Sequence, residues 1–147
     1  DALLLAHAVG VQGRVVAFES SPVLAALALA GMPEWPEPAS ALVGRITLTC
    51  VDHHAALAAL PDRSADVVFL DPMFHKPRGA QPGFDVLREV AEHAPLSERA
   101  LAEAARVARK RVVVKDGADG ATLQRLRIPP FKQHKWARVH YGVIERG

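Results

Sequence analysis

Four carboxylates stand where apolar runs end. Glu19 closes GRVVAFE, Asp52 follows RITLTCV, Asp71 follows ADVVFL and Asp116 follows RVVVK. A carboxylate at the end of a buried segment is expensive unless something bonds to it. Any one of them alone reads as a helix cap; four at strand ends outline a cleft. Asp71 says most about the chemistry. Pro72 locks its own φ and restricts the residue before it, so Asp71 is held extended past its strand, with Met73 and Phe74 close by. An acceptor beside an apolar slot suits a planar base with an exocyclic amine: the carboxylate takes the amine hydrogens and the aromatic packs on the ring. The structural alternative is that Asp71 caps the following turn and Phe74 belongs to the core.

The elements that must position these groups alternate. The opening DALLLAHAV is helical in character, 13–19 reads as a strand and 20–31 as a helix with Ser21 as N-cap, Pro22 at the first turn and Gly31 at the stop. MPEWPEP (32–38) holds three prolines and reads as a loop. Strands are expected at 45–51, 65–71 and 111–116, and helices at 53–61, at 95–110 with Ser97 as cap, and weakly at 120–128. One or two final strands lie in 129–145. Such alternation implies a parallel sheet covered on both faces. Right-handed crossovers put all strand C-termini on one edge, where ligands bind. The expected fold is therefore α/β, a Rossmann-like doubly wound and mainly parallel sheet with an antiparallel C-terminal strand. A chain that opens in mid-helix is expected to lack its first strand and the glycine-rich turn after it. The reading is one domain over 1–147, N-terminally incomplete, with 32–44 as a proline-rich loop insertion.

Composition narrows the classes. The chain has 147 residues, 50% hydrophobic and 23% charged, enough for one domain with a sizeable core. Its single cysteine, Cys50, allows no internal disulfide, which suits a reducing cytosol; Cys50 itself is expected to lie inert in its strand. No apolar run approaches the roughly 20 residues of a membrane helix, and no signal peptide is seen, so the expectation is a cytoplasmic protein without a membrane partner. His53-His54 lack a matching Cys/His cluster, so no metal site is expected. Charge is uneven. Residues 1–105 carry 7 basic and 13 acidic groups, while 106–147 carry 11 basic and 3 acidic. Such asymmetry marks either a face that meets polyanions or a solvated basic surface.

An acid at the end of the strand that Glu19 closes accepts hydrogen bonds from ribose hydroxyls. That holds for dinucleotide enzymes and for nucleoside-containing methyl donors alike. The segments DALLLA, VVAFESSPVLAAL, TCVDHHAAL, VVFLDPMFHK and KRVVVK, in this order, resemble the class I S-adenosylmethionine-dependent methyltransferases. More narrowly they resemble the small-subunit (16S) ribosomal RNA guanine-N2 methyltransferase family and its relatives, over residues 1 to about 116, and Asp-Pro-Met-Phe followed by His-Lys is the most specific piece. The resemblance implies S-adenosylmethionine as cofactor. Asp1 is then the acid after the glycine loop, near the donor's methionine end; Glu19 with Ser20 holds the ribose; Asp52 and His53 flank the adenine. Asp71 is the acid shared between donor and target amine, and Pro72, Met73 and Phe74 complete that motif. The wider amine-methylating pattern is Asp/Asn-Pro-Pro-aromatic; this chain has Met73 at the third position, as the narrower relatives do, while its C-terminal part departs from them.

The basic side supplies the expected RNA contacts. His75, Lys76, Arg78 and Lys115 lie near the motif, and residues 108–111, Arg125, Arg127, Lys132, Lys135 and Arg138 add charge, with Phe131, Trp136 and Tyr141 interleaved. Basic groups meet phosphates and aromatics stack on unpaired bases; Trp136 and Tyr141 also fit simple strand packing. The leading expectation is methylation of guanine N2 in ribosomal RNA. Open beside it stand a methyltransferase of the same fold acting on DNA, protein or a small molecule, a nicotinamide-dependent oxidoreductase, and a non-catalytic RNA-binding scaffold. The only tyrosine, Tyr141, near the C-terminus, counts against the oxidoreductase.

Overall fold

A computed structural model describes residues 1–73, 89–132 and 137–147. They fall into two compact units, 1–53 with 86–91, and 54–85 with 92–147.

The first unit holds α1 (Ala2–Ala8), β1 (Val15–Glu19), α2 (Pro22–Gly31) and β2 (Ile46–Cys50). β1 and β2 pair in parallel from Val15↔Ile46 to Glu19↔Cys50, and Val51 N–H donates to Glu19 C=O at 2.9 Å just beyond the ladder. Parallel partners cannot be joined by a tight hairpin; the crossover here is α2 with the turns after it. α2 starts where the sequence puts its cap, with Ser21 Oγ accepting from Leu24 N–H at 3.3 Å and Pro22 in the first turn. Gly31 does not stop it with a left-handed residue. Its φ is −86°, and the chain runs on into a 3-10 turn at Met32–Glu34, with a second at Ser40–Arg45, so the predicted loop is partly helical. α1 and α2 both pack on the strand pair. They do so through small residues, Ala6 and Ala25, which are fully buried and let the backbones come close. Gly13 is required by the turn from α1 into β1, because a Cβ there would collide with the Val9 side chain and carbonyl.

The second unit holds α3 (His53–Ala59, whose first residue is the last of the first unit), β3 (Ala65–Leu70), α4 (Glu98–Val107), β4 (Ala108–Gly117), α5 (Ala121–Arg125) and β5 (Val139–Glu145). The strand order is β3-β4-β5. β3 and β4 run parallel, with Leu70 opposite Val114; β4 and β5 run antiparallel, with Lys115 opposite Tyr141. Ser97 caps α4, its Oγ accepting from Ala100 N–H at 3.0 Å. α4 is shorter than its sequence suggests. Ala108, Arg109 and Lys110 are helix formers by propensity, yet they begin β4. Tertiary bonds override the preference: Arg109 Nε donates to Arg63 C=O at 2.6 Å, and both Arg109 and Lys110 lie 3.6 Å from Asp66.

One face of this sheet is a dry core. Val112 and Val114 are fully buried with Leu57, Leu96, Ala100, Ala104, Val107, Leu123, Leu126 and Ile128. Each such valine contributes roughly 1.5–3 kcal/mol. The other face is less covered than the apolar run implied, since Val113 is half-buried and Val67 exposed. Gly142 of β5 lets this core close: a Cβ there would meet Ile128 and Leu123 side-chain carbons at 2.6 Å. Arg106 of α4 ties down the end of α3, donating to Leu60 C=O at 2.9 Å and Leu57 C=O at 2.8 Å. Hydrogen bonds to Glu103 and then Asp62 hold its guanidinium pKa above the ordinary arginine value. Cys50, expected to lie inert in its strand, is exposed. Among the described residues no helix is long and apolar enough to cross a membrane, and no three His, Cys, Asp or Glu side chains are grouped to hold a metal ion.

Candidate active site

In the first unit, the parallel pairing of β1 and β2 brings Glu19 and Asp52 to the same, C-terminal edge. Glu19 is half-buried. Its Oε1 accepts from Ser21 N–H at 2.8 Å, so the carboxylate is turned across the start of α2, and Ser20 lies in the turn beneath it. Oε2 makes no hydrogen bond among the described residues. Asp52 is exposed, and its Oδ2 stands 3.5 Å from Nδ1 of His53, the first residue of α3. Asp1 occupies the N-cap position of α1 without a side-chain cap bond. It sits on the rim of a pocket of about 690 Å³ lined by Leu3, Leu4, Leu27, Met32, Trp35 and Leu42 among others. That pocket is a groove between helices and 3-10 turns, apolar apart from Asp1 and His7.

In the second unit, Asp71 directly follows β3, and Pro72 and Met73 lead the chain away. The strand next to it supplies its partner: Lys115 Nζ lies 2.9 Å from Asp71 Oδ2. Strand alternation accounts for the meeting. Asp71 lies two residues beyond Phe69, Lys115 two beyond Val113, and Phe69 pairs with Val113, so all four lie on one face. Tyr141, opposite Lys115 on β5, joins that face; its ring centroid is 6.5 Å from that of Phe69, at an interplanar angle of 45°. Sequence reasoning left Phe69 unremarked and could not separate Tyr141 from ordinary strand packing. Only the register of β4 against both neighbours assembles the group.

Asp116 does not belong with the other acids. It lies on the core face of β4, 3% exposed, and its carboxylate accepts from Gly117 N–H at 2.8 Å and Leu123 N–H at 3.0 Å. It caps α5 from a distance, which is why a strand end carries an acid there. The expectation that Asp116 is one of four acids lining a ligand edge is therefore corrected: its carboxylate is buried on the core face and bonded to backbone N–H groups. The basic run 108–111 also lies away from Asp71. It opens β4, four to seven residues before Lys115, roughly 13–23 Å along the strand. Arg109 and Lys110 approach Asp66, and Arg111 approaches Glu145. Phe74, His75, Lys76 and Arg78, with Lys135 and Trp136, lie outside the described residues.

Comparison with known proteins meets this geometry. A family model described as "Putative SAM-dependent methyltransferase", where SAM is S-adenosylmethionine, matches residues 1–139. The chain belongs to this family. It is similar to the "Uncharacterized protein YpiP" of Bacillus subtilis (strain 168), 38% identical over an alignment of 148 residues that covers 99% of this chain and 57% of that protein. Among solved structures it is similar to the SAM-dependent methyltransferase NGO1261 from Neisseria gonorrhoeae, with a TM-score of 0.63 and 27% identity over 99% of this chain and 56% of that one. The fold is shared with a "putative rRNA-methylase" from Clostridium thermocellum, at a TM-score of 0.60 and 15% identity over 99% of this chain and 81% of that one. The chain thus spans little more than half the length of YpiP and NGO1261.

Within this methyltransferase family the cofactor is S-adenosylmethionine. The first unit fits such a ligand on its own observations. One Glu19 oxygen accepts from Ser21 N–H, and the other makes no hydrogen bond among the described residues. Asp52 offers an exposed acceptor one strand away. Both are acceptor-only groups when ionised, which is what a ribose diol and an exocyclic amine call for.

Proposed function

We propose that the protein is an S-adenosylmethionine-dependent methyltransferase whose target is an exocyclic amine, N2 of a guanine in ribosomal RNA. The observation that carries this is Asp71: a carboxylate at the C-terminal end of a parallel strand, anchored through one oxygen by Lys115 and followed by Pro72-Met73. S-adenosylmethionine supplies an electrophilic methyl group on a sulfonium. The chain's own work is orientation. Asp71 Oδ1 takes a hydrogen bond from the amine and turns the nitrogen lone pair toward the methyl carbon. Guanine N2 is a poor nucleophile because its lone pair is delocalised, so this bond counts for more than it would on an aliphatic amine. Pro72 fixes the carboxylate's backbone, and Met73 supplies an apolar side chain beside it; Phe74, next in sequence, is the aromatic of the motif. Glu19 and Ser20 hold the ribose, Asp52 and His53 the adenine, and Asp1 the methionine end.

RNA as the partner is supported by the charge of residues 106–147 and by the exposed Arg127, Phe131, Lys132 and Arg138, a basic surface with an aromatic on it. His75, Lys76 and Arg78 add to this reading by their place next to the motif. A structural neighbour named as an rRNA methylase points the same way. A protein with that substrate works in the cytosol. The test is transfer of labelled methyl groups by the full-length gene product to RNA from a strain that lacks the gene, followed by nucleoside analysis. Label in N2-methylguanosine of small-subunit RNA is the expected result. Label in DNA, protein or a small molecule instead moves the substrate and keeps the chemistry. Asp71→Asn is expected to fold and bind the donor and to lose turnover by about 100-fold or more; full turnover in that variant overturns the assignment.

A further inference from the structure

The sequence places Lys115 among the RNA contacts; its surroundings assign it another task. A lysine that serves phosphates reaches into solvent on a flexible stem. The Lys115 side chain is only 17% exposed, and its ammonium is directed at Asp71 Oδ2, 2.9 Å away. It stands on β4, the central strand of β3-β4-β5, with Leu70↔Val114 paired beside it on one side and Tyr141 opposite it on the other. Asp71 by contrast lies past the end of its ladder, and its carboxylate is 39% exposed. Carboxylate orientation about the terminal torsion is broad and nearly two-fold. A carboxylate in that position does not hold one orientation unaided.

We propose that Lys115 is a positioning residue for Asp71. Its ammonium fixes Oδ2 from a rigid strand and so leaves Oδ1, which has no partner among the described residues, aimed outward to accept the hydrogen of the target amine. The inference rests on the reading of Asp71 given above and adds the group that makes that carboxylate competent. Functional groups held by side chains on central strands keep sub-ångström placement better than groups on loops. The charge matters as well as the reach: with Lys115 present, a neutral amine approaches a carboxylate already balanced by a cation.

The test compares wild type, Lys115→Met, Lys115→Arg, Asp71→Asn and the Lys115→Met/Asp71→Asn double variant of the full-length protein, using labelled S-adenosylmethionine and RNA from the gene-deleted strain. Lys115→Met is expected to lower kcat about 10- to 100-fold, the lower range of what a positioned acid or base supplies. KM for RNA and for the donor should stay within about twofold. Lys115→Arg, which keeps the cation, should recover most of kcat and reads the same split should the methionine variant fold poorly. In the Asp71→Asn background, Lys115→Met should remove nothing further, because a residue that acts only through Asp71 has nothing left to position. A rise in KM for RNA with kcat intact makes Lys115 a phosphate contact and overturns the inference, as does a loss that multiplies with that of Asp71→Asn. A fully active Asp71→Asn, or a wild type that methylates no RNA, instead brings down the reading of the site and this inference with it. The two failures are told apart by whether wild type and Asp71→Asn behave as proposed.

Discussion

Replacing Asp116 by alanine is a stability experiment, although the residue sits one position after Lys115. Its carboxylate is 3% exposed and accepts two backbone N–H groups, those of Gly117 and of Leu123, the third residue of α5. α5 has only five residues, and its N-cap Gly120 offers no side chain; Asp119 Oδ1 accepts from Ala121 N–H at 3.3 Å, and Asp116 accepts from Leu123 N–H at 3.0 Å. Loss of a cap costs about 1–2 kcal/mol, and leaving a second buried donor unsatisfied costs about 1–3 kcal/mol. A total of about 2–5 kcal/mol follows for Asp116→Ala. At roughly 2–4 °C per kcal/mol for a chain of this size, Tm should fall by about 4–20 °C. Asp116→Asn, which keeps one acceptor but turns a donor toward the other N–H, should fall in between. Circular dichroism melts of the full-length protein measure the loss, and calorimetric titration with S-adenosylmethionine measures donor affinity in the same preparations below the melt. Unchanged Tm with lost donor affinity would refute the argument and return Asp116 to the ligand edge.

Gly142→Ala should destabilise by about 1–3 kcal/mol, because a Cβ there lands 2.6 Å from carbons of Ile128 and Leu123 in a packed core; urea unfolding at constant m-value checks it. Glu19→Ala should cost about 1 kcal/mol of stability through the lost bond to Ser21 N–H, and lower donor affinity at least tenfold, read by calorimetric titration. An unchanged affinity would remove Glu19 from the donor site.

The chain by itself determined most of the elements and the points at which α2 and α4 start. Ser21 and Ser97 cap the helices they were expected to cap, because capping depends on a residue and the backbone three positions on. Strands with β-branched runs formed where those runs lie, and Asp71-Pro72 stands past a strand end because local sterics dictate it. Local rules fail where long-range bonds outweigh propensity. Ala108–Lys110 left α4 for β4 because Asp66 and the Arg63 carbonyl hold Arg109 and Lys110 from another strand. Identity of residue type also misleads at Asp116: in sequence it is one more acid after a strand, and only the side of β4 it takes separates a buried cap from a ligand-facing carboxylate. The Asp71–Lys115 pair and the Phe69–Tyr141 contact depend on register between strands 44 and 72 residues apart in the chain, respectively. Register is decided by packing of whole strands, which a one-residue slip would invert, and so it was for the tertiary structure alone to bring that group together.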